Sequence, residues 1–281
     1  MICCGYTCTF AQPKTYTDTS LKFNKWYTQL EKKWVVLPKK DTAKAYSFGY
    51  IYIDHEAGFT FDLQGVFSVD KNNKYVRDTA MFKNQSVKYR IAPNWRLVAL
   101  LSPNHFTELG IKPEPDWVKT YYYTYTDTVA HDYRWGWIYN DLNESEIALS
   151  YLKNANRLKP HEPNIEFELA FAYNVLEQYD SAIKVLETAI PYNPDNMVFY
   201  KELGYAYMKK KLFEQAIATY KKGISNAPDK KSDAKGELAF NMATCYKNTG
   251  NLADYKTWML KAKEFALPES PYYQQIIDAG F

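Results

Sequence analysis

Four histidines, His55, His105, His131 and His161, are the side chains of this 281-residue chain best suited to acid–base or metal chemistry. Imidazole is the side chain whose unperturbed titration falls near neutrality, and it is a common metal ligand. No pair of them has ligand spacing on one helix, and no His-Glu-x-x-His motif occurs. Asp54-His55-Glu56 sets two carboxylates beside an imidazole. With Asp62 converging on it, the triplet would make a metal or acid–base site. The other reading is a solvated polar turn between two alternating apolar segments, and turn composition favours it. His105 falls in a short surface helix and His161 beside the break at Pro160, so both are expected to be exposed. There is no Gly-rich phosphate loop and no Gly-x-Ser-x-Gly elbow. No catalytic, cofactor-binding or metal-ligating residue is therefore assigned, and an enzyme would have to act through the N-terminal half.

Cysteine adds little to the chemistry. Cys3, Cys4 and Cys8 crowd into Met1–Gln12, an uncharged apolar stretch ending in Thr9-Phe10-Ala11-Gln12. That ending resembles a bacterial signal-peptidase site, although a basic start and half of the apolar stretch are missing. The expectation is a truncated signal peptide at 1–12 and a periplasmic or secreted protein. The alternative is a disordered N-terminus on a cytoplasmic protein. Cys245 stands alone elsewhere and is expected to be a small buried residue. No apolar run is long enough to span a membrane.

The positions of these groups depend on the elements that carry them. Residues 20–33 show helical spacing through Phe23, Trp26, Tyr27 and Leu30, and this predicts a helix. The period then changes. Phe48, Tyr50 and Tyr52 alternate with Gly49, Ile51 and Ile53, and Phe59, Phe61 and Leu63 alternate with Thr60 and Asp62, as strands do. Gly65 is a candidate bulge, and Asp70-Lys71-Asn72-Asn73 a turn leading to a strand near Tyr75. Further strands are expected at Val87–Ile91 and Arg96–Leu101. Ser102-Pro103 starts a short helix that stops at Gly110, and Asp116-Trp117 starts another. The run Tyr121–Tyr125 reads as the end of that helix or as a strand. Residues 13–128 thus form a mainly antiparallel β domain with flanking helices.

The second half repeats itself. Leu169, Ala170, Tyr173, Ala182, Leu186, Ala189 and Pro194 recur 34 residues later as Leu203, Gly204, Tyr207, Ala216, Tyr220, Gly223 and Pro228. An earlier copy runs through Trp135, Gly136, Tyr139, Ala148, Leu152, Ala155 and Pro160. A later one, after a five-residue slip at Lys231–Lys235, runs through Met242, Ala243, Tyr246, Gly250, Met259 and Ala262, with Tyr255 where Ala is usual. This pattern resembles the tetratricopeptide repeat (TPR) family over residues 129–269. The resemblance implies four helix pairs at 129–162, 163–196, 197–230 and 236–269, stacked as a superhelix, with 270–281 as a capping tail. The fold class expected for the chain is α+β.

The resemblance also implies a function. TPR domains bind peptides or partner helices in a concave groove, and they have no catalytic activity of their own. The fifth and ninth places of each first helix face that groove in the family. Here they are Tyr133 and Trp137, Phe167 and Phe171, Lys201 and Tyr205, then Phe240 and Thr244. Chaperone-binding members clamp a terminal carboxylate there with Lys, Asn and Arg, a set that only Lys201 fits. Six aromatic residues in one groove mark an interface. The expected occupant is an apolar protein or peptide segment. The alternative is the chain itself, either its β domain docked on the groove or its tail around Tyr272 and Ile276. Net charge is +5 over residues 13–128 and −2 over 129–281, without the basic stripe that nucleic-acid binding needs. The chain is read as an exported interaction scaffold. The competing reading is an envelope hydrolase whose β domain acts while its repeats recruit substrate.

Overall fold

The computed structural model describes residues 17–80, 87–122, 124–227 and 231–281. The leader at Met1–Gln12 and the repeat position Pro228 lie outside the described residues. The chain divides into two compact units, Met1–Tyr125 and Thr126–Phe281, and the fold is α+β.

Among the described residues, unit one is built on an antiparallel sheet of six strands. These are β1 (Lys33–Val36), β2 (Tyr46–Asp54), β3 (Gly58–Val69), β4 (Tyr75–Arg77), β5 (Val87–Arg90) and β6 (Ala99–Leu100). Their order is β4-β3-β2-β1-β6, with β5 also pairing β3. The register of β2 against β3 slips where Phe48 faces Gly65 and Gly49 faces Leu63, so Gln64 is the extra residue of a bulge. Gly49 is needed there, because a Cβ would meet the Asp62 carbonyl oxygen at 2.3 Å. Asp70 forms the expected turn, its Oδ1 accepting from the backbone N–H groups of Asn72 and Lys74.

The helix expected over 20–33 does not form. Lys25 instead exchanges backbone hydrogen bonds with Val98, Tyr27–Leu30 is one 3-10 turn, and Lys33 already belongs to β1. The helical spacing serves another purpose: Phe23 stacks on Tyr46 and Tyr27 meets Phe59 edge-on, so the rings cover the sheet, Phe23 from irregular chain and Tyr27 from the 3-10 turn. An isolated helix of this length is marginal in water, so contacts with the sheet decide the conformation of the segment. Helices α1 (Phe106–Leu109) and α2 (Val118–Tyr122) follow. Ser102 caps the first turn and Gly110, with φ 62°, ends α1. Tyr121 and Tyr122 are the last turn of α2, while Thr124 and Tyr125 lie outside any strand.

Among the described residues the regular elements of unit two are all helices. Its elements are α3 (Thr128–Asp141), α4 (Ser145–Leu158), α5 (Pro163–Val175), α6 (Tyr179–Ala189), α7 (Met197–Lys209), α8 (Phe213–Asn226), α9 (Asp233–Asn248), α10 (Leu252–Phe265) and α11 (Pro271–Asp278). The first eight are four antiparallel pairs. Within a pair a small residue faces a large one. A Cβ on Gly136 would meet the Leu152 side chain at 2.4 Å, and one on Gly204 would meet the Tyr220 ring at 2.3 Å. The turn inside each pair places one residue in the left-handed region: Asn143, Glu177, Lys211 and Gly250. Tyr255, the bulky departure in the last repeat, meets Phe281 edge-on at 5.5 Å.

Candidate functional site

Consecutive first helices touch one another, α3 with α5, α5 with α7 and α7 with α9, while each second helix packs chiefly on the first helices beside it. The first helices therefore line the inner side of the stack. Tyr133 and Trp137 lie on α3, Phe167 and Phe171 on α5, Lys201 and Tyr205 on α7, and Phe240 and Thr244 on α9; all eight are half-buried. Phe171, Lys201 and Tyr205 share a depression of about 240 Å³ with Asn174, Val175, Glu202, Glu237 and Asn241. Lys201 Nζ stands 6.0 Å from the Phe167 ring, 3.4 Å from Glu202 Oε1 and 3.8 Å from Glu237 Oε2. Phe167 and Phe171 lie with ring centroids 6.3 Å apart.

The remaining members are separated from this group. Tyr133 lines its own depression of about 320 Å³ beside Lys159 and Glu162. Trp137 lies under the Arg134 guanidinium at 4.7 Å. At the far end α11 packs on α9. Ile276 is buried among Ala239, Ala243 and Met259, and Tyr272 comes 5.8 Å from Phe240. The chain's own tail thus occupies the Phe240 end, and the Thr244 hydroxyl is spent on the Phe240 carbonyl.

A ladder of polar contacts runs beneath the rings. Asn140 Nδ2 donates to the backbone oxygen of Glu168 at 3.0 Å and to its Oε2 at 2.8 Å. Asn174 Nδ2 does the same to Glu202, at 3.1 and 2.9 Å. These four residues escaped the sequence reading. Their signal was present, since Asn140 to Asn174 and Glu168 to Glu202 are both steps of the repeat length. Burial holds the Glu168 carboxyl above its ordinary range, and the Asn140 bond works against that rise.

The histidines do not assemble a catalytic centre. Asp54 Oδ1 accepts from the N–H groups of Glu56 and Ala57, which makes Asp54-His55-Glu56 a hydrogen-bonded turn. Asp62 lies four residues beyond Gly58 on β3, about 13 Å along the strand, and accepts from Gln64. His105 is half-buried rather than exposed. Its ring stacks on Tyr75 at 3.7 Å and its Nδ1 is 2.8 Å from Glu108 Oε2, which pins α1 to the sheet. His161 is also half-buried, stacked on Tyr192 at 3.6 Å. His131 is buried, 2.9 Å from Asp132 and stacked on Trp135. Among the described residues no group of three His, Cys, Asp or Glu side chains could hold a metal ion, and no helix is long and apolar enough to cross a membrane.

The tetratricopeptide repeat family model matches residues 146–196 and 176–236. No curated protein matches the chain. Among solved structures, TTC0263, a thermophilic TPR protein in Thermus thermophilus, is 20% identical with a TM-score of 0.47, over 55% of this chain and 81% of that one. MamA from Desulfovibrio magneticus RS-1 is 20% identical with a TM-score of 0.45, over 53% of this chain and 82% of that one. The helical unit, with its repeating small-to-large contacts and its turns in register, is a tetratricopeptide repeat domain.

Proposed function

We propose that the inner face of α3, α5 and α7 binds an apolar segment of a protein partner, and that the chain serves as an interaction scaffold. The observation that carries this reading is the row of half-buried rings at Tyr133, Trp137, Phe167, Phe171 and Tyr205 on successive first helices. Rings in that state keep apolar surface against water, and apolar surface gathered on one face marks a binding site. Phe171 is central, because its depression also holds Lys201, Glu202 and Glu237, which can fix the register of a bound backbone. The tail supports the same reading from within: Tyr272 seats an aromatic ring against Phe240, as a partner's side chain would against Phe171.

The test is Phe171→Ala in the full chain, with a peptide selected from a displayed library for binding to the unaltered protein. Folding stability should stay within about 0.5 kcal/mol, and affinity for the peptide should fall at least tenfold. A stability loss of about 3–5 kcal/mol would make the ring part of the core and end the reading at that position. Equal binding by the variant would also end it.

A further inference from the structure

The opposite side of the second repeat holds a separate cavity of about 520 Å³ between α4, α5 and α6. Three buried side-chain atoms without a hydrogen-bond partner belong to residues lining it: Asn156 Oδ1, His161 Nδ1 and Glu166 Oε2. Such orphaned atoms are rare in folded proteins and each calls for an explanation. Glu166 is 3% exposed. His161 Nδ1 is 3.5 Å from its Oε1, an ion-pair distance without hydrogen-bond geometry, and Oε2 is left unpaired. His161 itself is fixed in place, with φ 62° and its ring stacked on Tyr192. The mouth has the opposite character. Lys153, Arg157 and Lys184 line the cavity and are exposed. Lys153 lies 5.5 Å over the Tyr173 ring, Arg157 donates to Asn154, and Lys184 makes no ion pair among the described residues.

We infer that this cavity is a binding site for a small organic anion that also carries hydrogen-bond donors, such as a hydroxylated phosphate or carboxylate. Three cations at a mouth over a low-dielectric wall attract and hold negative charge. Asn156 Oδ1 and Glu166 Oε2 are acceptors without a donor just under the lining surface, so they ask for O–H or N–H groups on the ligand, which reach them by a side-chain shift. A bare anion would meet the cations and leave the acceptors unpaired. A neutral polyol would do the reverse. Leu169, Tyr173 and Val185 supply the apolar wall between the two ends.

Calorimetric titration of the full chain tests the site with five probes. Glycerol 3-phosphate and glycerate join hydroxyl donors to a phosphate and a carboxylate respectively, while glycerol, methyl phosphate and acetate each lack one half. At least one of the first two should bind with a dissociation constant on the order of 1 mM or tighter, at least tenfold better than any control. The one that binds names the anion. Arg157→Gln with Lys184→Gln, both at exposed positions, should weaken that binding at least tenfold with the thermal midpoint unchanged. The His161 ring protons should shift on titration in the unaltered chain. No binding of either probe, binding no better than the controls, or equal binding by the double variant would each overturn the assignment.

Discussion

Asn174, at the end of α5, gives both of its amide hydrogens to one residue of the next repeat, bonding the backbone oxygen and the side-chain Oε2 of Glu202 on α7. The contact joins repeat to repeat, and Asn140 and Glu168 repeat it one unit earlier. Both partners are buried, so neither regains water if the other is lost. Asn174→Ala should therefore cost about 1–3 kcal/mol, the range for stranding a buried acceptor. Urea denaturation would show it as a lower midpoint. An unchanged midpoint would mean that water replaces the amide.

The Glu168 carboxyl gives a pH dependence with a definite sign. Burial raises its folded-state value above the unfolded one. Between those two values the folded state binds more protons than the unfolded state, so stability falls as pH rises through that window. Glu168→Gln should flatten this part of the profile, because an amide does not titrate. Asn140→Ala should push the carboxyl higher still, since it removes the bond that opposes the rise. Carbon-13 titration of the Glu168 carboxyl measures both, and a lower value in Asn140→Ala would refute the account.

Gly204 has no room for a side chain, since a Cβ there would sit 2.3 Å from the Tyr220 ring. Gly204→Leu must drive α7 and α8 apart and should destabilise by about 1–3 kcal/mol or more, as overpacking does. Thermal unfolding checks it. Pairing the variant with Tyr220→Ala should recover part of the loss if the ring is the obstacle.

How legible the chain was differs between its halves, for a physical reason. A repeat writes each packing demand several times, so Gly136, Ala170 and Gly204 could be recognised together. The same redundancy would have exposed the Asn–Glu ladder, but polar residues 28 apart make no hydrophobic pattern. In the β unit each demand is written once. The alternation in β2 and β3 was readable because both strands are long. The segment around Phe23 and Tyr27 was not, since helical spacing also fits rings that cover a sheet from irregular chain and a single 3-10 turn. Of the face positions, the sequence could place all eight on first helices. It could not tell that α11 takes the Phe240 end, because that depends on where a tail of eight helical residues finds apolar cover.

The left-handed turn position offers a gain rather than a loss. Glu177 is exposed and holds φ 58°, a conformation unfavourable for any residue with a Cβ. The last repeat answers the same demand with Gly250, at φ 77°. Glu177→Gly removes that strain at the cost of a more flexible unfolded chain. The net change should be a stabilisation of about 0.5–1 kcal/mol, with Gly250→Ala losing a similar amount. Denaturant midpoints decide it, and a destabilised Glu177→Gly would show that the side chain contributes more than the backbone strain costs.

Helix α2 is held in the β unit by a hydrogen bond to its tyrosine hydroxyl. The backbone N–H of Ile53, near the end of β2, donates to the hydroxyl oxygen of Tyr122 on α2 at 2.6 Å. Ile53 is wholly buried and Tyr122 nearly so. The hydroxyl thus stands where a strand partner's carbonyl would otherwise be. Tyr122→Phe keeps the ring and removes only that oxygen. It leaves one buried N–H without an acceptor, which costs about 1–3 kcal/mol. Lys32→Ala instead leaves the hydroxyl in place and removes a cation 5.1 Å from the ring centroid, an interaction on the order of 0.5–2 kcal/mol at a partly buried site. Amide hydrogen exchange separates the two effects. In Tyr122→Phe the Ile53 amide should lose protection more than the amides of Tyr50 and Ile51, whereas Lys32→Ala should leave that ordering intact. If Ile53 exchanges as slowly in the Phe variant as in the unaltered chain, another acceptor replaces the hydroxyl, and α2 is held by ring packing on the sheet alone.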